Sequence, residues 1–102
     1  MVRLMVLYGR PDDTETFDRH YRDVHIPLAK QLSGLRRDTV SRGVAVTTGE
    51  DSSYLVAELD FDDQAALEAA LGSPGGRAAG KDMITNLASG GVRTLVFEVD
   101  EA

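Results

Sequence analysis

The chain has 102 residues, a net charge of −6, 42% apolar residues and no cysteine. The length suits one domain, read here as residues 1–102. The missing cysteine excludes disulfides, thiolate catalysis and cysteine-held metals, and the acidic balance argues against a surface that tracks nucleic-acid phosphates.

No apolar run reaches the roughly 18 residues of a membrane span, and no small-residue cleavage site follows the first residues. The expectation is a cytoplasmic protein with no membrane partner. Arg3 to Tyr8 reads as a first strand, with Leu4, Val6 and Tyr8 on one face and Met5 and Leu7 on the other. Both faces are apolar, so both need a cover. GRPDD is turn chemistry; Asp12 or Asp13 can cap the helix that follows. At 100° per residue, Phe17, Tyr21, Val24, Leu28 and Leu32 form its apolar stripe. Ser33-Gly34 ends it.

Arg37 to Thr47 reads as a second strand, GEDSS (49–53) as a turn, and Tyr54 to Phe61 as a third strand. Asp62 is the expected cap of a short helix that stops at Gly72. Ser73-Pro74 then supplies a new cap and first helical residue, opening a helix towards Leu87. Val92 to Val99 is the last strand. The order β-α-β-β-α-β is the ferredoxin-like α+β arrangement, an antiparallel sheet with helices on one face. A second copy, sheet against sheet, is the simplest cover for the other apolar face, so the expected assembly is a homodimer.

His25 lies about 60° from the centre of the stripe on an α-helical wheel, one turn after Tyr21. Together the two could bind an oxygen atom or pass a proton; the plainer reading is a border histidine satisfied by a backbone carbonyl. Pro27, two places on, removes a backbone donor and bends the helix. His20 invites a metal reading with His25, but five α-helical residues rotate a side chain by about 140°, which separates the rings; no metal is expected. Glu58 interrupts the third strand and calls for a salt bridge to an arginine across the dimer. Asp82 could orient a histidine, although capping a helix is the plainer role. SPGGR (73–77) lacks the spacing of a nucleotide-binding loop.

The strand LMVLYGRPD, the segment F-x-x-H-Y-x-x-x-H-x-P-L-A (Phe17 to Ala29), Gly34-Leu35 and the stretch LDFDDQAALEAALGSPGGRAAGKDM resemble the EthD family, in order and through nearly the whole chain. The resemblance implies a dimeric α+β barrel. It makes His25 and Pro27 motif positions, sets Tyr21 at an aromatic position expected to line the pocket, and aligns Asp82 with an acidic position. His20 departs from the tyrosine expected there. The family's name derives from an ether-degradation gene cluster, and related barrels include isomerases, enzymes of aromatic polyketides, cofactor-free monooxygenases and haem-binding proteins.

The leading expectation is a small enzyme or binder, without a cofactor, for an apolar or aromatic oxygenated molecule. His25 would be its general acid/base and Tyr21 a hydrogen-bond donor to a carbonyl or hydroxyl. Tyr8, Phe17, Leu28, Asp82 and Phe97 complete the substrate-binding set. The alternatives are a non-catalytic carrier or accessory subunit of an oxidation pathway, and a haem-binding barrel using His25.

Overall fold

In the computed structural model, which describes residues 1–51 and 53–102, four strands form one antiparallel sheet in the order β2-β3-β1-β4. These are β1 (Val2–Gly9), β2 (Arg37–Arg42), β3 (Ser53–Phe61) and β4 (Val92–Glu98). Between β1 and β2 run α1 (Thr14–His20), a π-helical segment (Tyr21–His25) and α2 (Ile26–Lys30). Between β3 and β4 run α3 (Gln64–Gly72) and α4 (Pro74–Asn86). This is the ferredoxin-like α+β fold, with the helices on one face of the sheet. The second strand ends at Arg42, short of Thr47, where Gly43 takes a left-handed φ of 66°. The expected GEDSS turn includes Ser52, which lies outside the described residues.

Register makes the two faces of the sheet unlike. Leu4 opposes Leu59 on β3, and Val6 opposes Ala57. With Tyr8, Leu55 and Phe61 these residues are buried beneath the helices, against Phe17, Ala29, Leu32 and Leu67. Arg3, Met5 and Leu7 point the other way, opposite Phe97, Leu95 and Arg93 of β4. On that outer face Arg3 donates from Nε and Nη2 to Asp60, at 2.7 and 3.1 Å, and its Nη1 lies 3.1 Å from Glu58. Glu58 thus has an arginine within the chain, on the neighbouring strand.

The caps follow side-chain chemistry. Asp13 accepts from Thr16 N at 3.1 Å and Ser73 Oγ from Gly76 N at 3.1 Å. Asp63, rather than Asp62, caps α3 by accepting from Ala66 N at 2.8 Å. Asp62 is instead turned outward to the guanidinium of Arg36. Gly76 lets α3 and α4 meet closely, since a Cβ there would sit 2.2 Å from Ala70 O.

The first helical run departs from the α-helical wheel. Phe17, Tyr21, Ala29 and Leu32 are buried, but Val24 is 40% exposed and its place is taken by His25, 8% exposed. The cause is the π turn: Ile26 N–H bonds to Tyr21 O, five residues back. One extra residue in that turn moves the inward position from 24 and 28 to 25 and 29. His25 thus belongs to the centre of the stripe, not its border.

Candidate functional site

Pro27 gives the π turn a physical reason. In an unbroken α-helix residue 27 would donate to Asp23 O, and a proline ring both lacks that donor and collides with that carbonyl. Here the wider turn ends at His25, and Pro27 falls in the first turn of α2, where a missing donor costs little.

The same turn brings the two histidines together. His25 Nδ1 lies 2.9 Å from Asp82 Oδ2, and His20 Nε2 lies 2.7 Å from Asp82 Oδ1. Residues five apart share a face where hydrogen bonds run five residues back, so the α-helical rotation that separates His20 from His25 does not apply. Asn86, one turn beyond Asp82 on α4, donates to Oδ1 at 2.8 Å. Asp82 is therefore the hub of a partly buried network and holds a histidine from within α4 rather than capping a helix. Among the described residues no group of three or more His, Asp or Glu side chains is arranged so that it could hold a metal ion.

A cavity of about 460 Å³ lies between the helices and the inner sheet face. Tyr8, Tyr21 and His25 line it, along with Leu4, Val6 and Met83. Neither tyrosine hydroxyl, nor Nε2 of His25, has a hydrogen-bond partner among the described residues. No buried side-chain N or O atom there is sealed off without a partner, so these three polar atoms open to the cavity. Burial pushes both tyrosine hydroxyls well above their ordinary range, with Tyr21 and Asp82 adding to the rise at Tyr8 and Asp38 to that at Tyr21. Both remain neutral donors.

The other residues expected to bind substrate fall elsewhere. Phe17 is buried behind the tyrosines, stacked on Tyr21 at 5.8 Å and edge-on to Tyr8 at 5.5 Å. It fixes their rings without lining the cavity. Leu28 is displaced from the lining by the π turn, Asp82 stands behind His25, and Phe97 is exposed on the outer sheet face. Asp38 was missed. It faces the cavity from β2, and burial raises its carboxyl above the usual range against the opposing charges of Lys30 and His25. The signal was the inward parity of Asp38 and Val40, which is unreadable while the strand's register is unknown. Asn86 was also missed; its signal was the four-residue spacing from Asp82.

Fold and site together define a small ferredoxin-like α+β protein with a histidine–carboxylate pair set against an apolar cavity. Residues 11–91 match the EthD domain. An uncharacterised 11.0 kDa protein of the thcB-thcC intergenic region of Rhodococcus erythropolis is 35% identical over 101 residues, covering 99% of this chain and 96% of that protein. The crystal structure of an EthD-family protein from Bacillus halodurans is also 35% identical and superposes with a TM-score of 0.89, over 98% of this chain and 99% of the other. The chain belongs to the EthD family. Two more distant structures share the fold. A dimeric ferredoxin-like protein of unknown function from Jannaschia is 19% identical, with a TM-score of 0.75 over 96% and 98% of the two chains. SnoaB, a cofactor-independent oxygenase from Streptomyces nogalater, is 16% identical, with a TM-score of 0.69 over 99% and 94%.

Burial raises the Asp82 carboxyl, but hydrogen bonds from Asn86, His20 and His25 outweigh it and hold the group below the usual carboxylate range. A carboxyl held low in the folded chain stabilises it above the unfolded value, about pH 4, and the contribution is lost as pH falls through the folded value. Asp82→Asn should therefore lower stability by about 1–3 kcal/mol at neutral pH. Thermal unfolding from pH 7 down to 3 should show the gap between variant and wild type persisting to about pH 4 and closing below it.

Proposed function

We propose that this protein binds a small apolar or aromatic oxygenated molecule in the inner cavity and moves a proton next to its carbonyl group. The observation that carries the reading is the direction of His25. With Nδ1–H donated to Asp82, Nε2 is left as an acceptor on the wall of a cavity that Tyr8, Tyr21 and apolar side chains also line. Nε2 takes a proton from the carbon beside the carbonyl. The charge that builds on the substrate oxygen is met by the neutral hydroxyls, donors already in place in a cavity lined mainly by apolar side chains. Asp82 holds the ring in the required tautomer and balances the imidazolium that forms. Such a step underlies isomerisation, lyase chemistry and oxygenation without a cofactor, the last being what SnoaB is described as doing.

A tetralone in heavy water tests the step without knowledge of the natural substrate. Wild-type protein should accelerate exchange of the hydrogens beside the carbonyl, followed by NMR. His25→Ala should reduce that acceleration at least about 100-fold in a protein that is still folded at the assay temperature, its melting temperature lowered by loss of the bond to Asp82. His20→Ala should reduce it less, because Asp82 keeps Asn86 and His25. Full exchange in His25→Ala would end the acid/base reading; tetralone binding without exchange in the wild type would leave a carrier.

We also propose a homodimer closed through the outer sheet face. Leu95 is 47% exposed and Phe97 38% exposed there, beside half-buried Met5, Leu7 and Val56. β4 is an edge strand, and an exposed apolar edge invites pairing. Sedimentation at micromolar concentration should give about twice the 11.0 kDa chain mass, and Leu95→Lys combined with Phe97→Asp should return it to the monomer. A stable wild-type monomer would overturn the assembly.

A further inference from the structure

Several cations of this acidic chain are neutralised within it: Arg3 by Glu58 and Asp60, Arg22 by Asp23, Arg36 by Asp62, Arg93 by Asp51. Arg77 and Lys81 have no acidic partner among the described residues, and both line the cavity. They stand four residues apart on α4, so their side chains are neighbours on one helix face. Both are exposed while Tyr8 and Tyr21 are buried, which places the cations at the rim and the hydroxyls at the floor. Between them the helix presents Ala79 and Gly80, and a Cβ at Gly80 would meet nothing within 4 Å. The rim therefore has open space beside two free cations. Asp82, the next acidic residue along the helix, is turned away to the histidines. The lining carries one carboxylate, Asp38 on β2, against these two cations, in a chain whose net charge is −6.

We propose that the ligand is an organic acid, its ring-sized apolar body against Tyr8 and Tyr21 and its carboxylate held at the rim by Arg77 and Lys81. This rests on the cavity being the binding site and adds the class of molecule that enters it. The guanidinium of Arg77 matches a carboxylate as a two-pronged donor, and Lys81 adds a point charge. In a chain of negative net charge, a local cationic rim is what admits an anion at all. Fixing the charged end at the rim also holds the far end of the molecule over Nε2 of His25, the positional effect on which proton abstraction depends.

Naphthoate and its neutral amide, naphthamide, separate the rim from the cavity. By titration calorimetry at low salt, wild-type protein should bind naphthoate at least about tenfold more tightly than naphthamide, and added salt should shrink the preference. Arg77→Gln with Lys81→Gln should bring naphthoate down to the affinity of naphthamide while leaving naphthamide unchanged, which also shows that the variant is folded. Equal binding of the two probes by wild type, or a preference kept by the double variant, would overturn the organic-acid inference and leave the cavity reading standing. Binding of neither probe would overturn both.

Discussion

The arrangement of this protein's site depends on one turn of helix in which the hydrogen bond runs from Ile26 to Tyr21 instead of one residue nearer. An α-helix has 3.6 residues per turn, and at that pitch Val24 would be buried and His25 would sit at the margin. The π turn delays the chain by one residue, turns Val24 outward and brings His25 and Ala29 under the sheet. A polar ring in the middle of an apolar stripe is costly unless it is hydrogen-bonded. Asp82 supplies that bond, and His20 and Asn86 satisfy the rest of the carboxylate. Pro27 is part of the same device, because its ring excludes the unbroken α-helix that would undo it.

The network and the cavity are two sides of one ring. Nδ1 of His25 faces a buried carboxylate, while Nε2 faces a space walled by aliphatic side chains and two tyrosines that burial keeps protonated. Phe17 braces both tyrosines from behind, with Tyr54 edge-on to it at 5.6 Å. The sheet carries the tyrosine from β1, the helical run carries the histidine, and α4 carries both the orienting carboxylate and the cationic rim. Each element thus contributes to packing and to the site, which is how a chain of 102 residues holds a cavity without losing its core.

Much of this is legible in the amino-acid sequence. Period-two alternation in β1 and β3, Ser73-Pro74 before α4 and the break at Gly72 were enough for the β-α-β-β-α-β element order and for the layer of helices. The same periodicities put Tyr8 on an apolar face of β1 and Tyr21 on the helical stripe; it was the family resemblance that set Tyr21 beside a pocket. The misplacements in the first helical run came from one assumption, a uniform 100° per residue. It placed Leu28 in the cavity, set His25 at the border and sent His20 to the far side. Proline after a histidine signalled an irregular helix, but not that the irregularity was an inserted residue. Asp38 and Phe97 failed differently. Their faces are set by cross-strand register, which a polar, mixed strand and an edge strand do not declare.

The direct test is the protonation pattern of the imidazoles, read by long-range proton–nitrogen NMR correlation with the rings neutral. The account predicts His25 as the Nδ1–H tautomer, with a strongly deshielded Nδ1 proton that disappears in Asp82→Asn while the chain stays folded. An Nε2–H tautomer at His25, or an Nδ1 signal indifferent to Asp82→Asn, would contradict it.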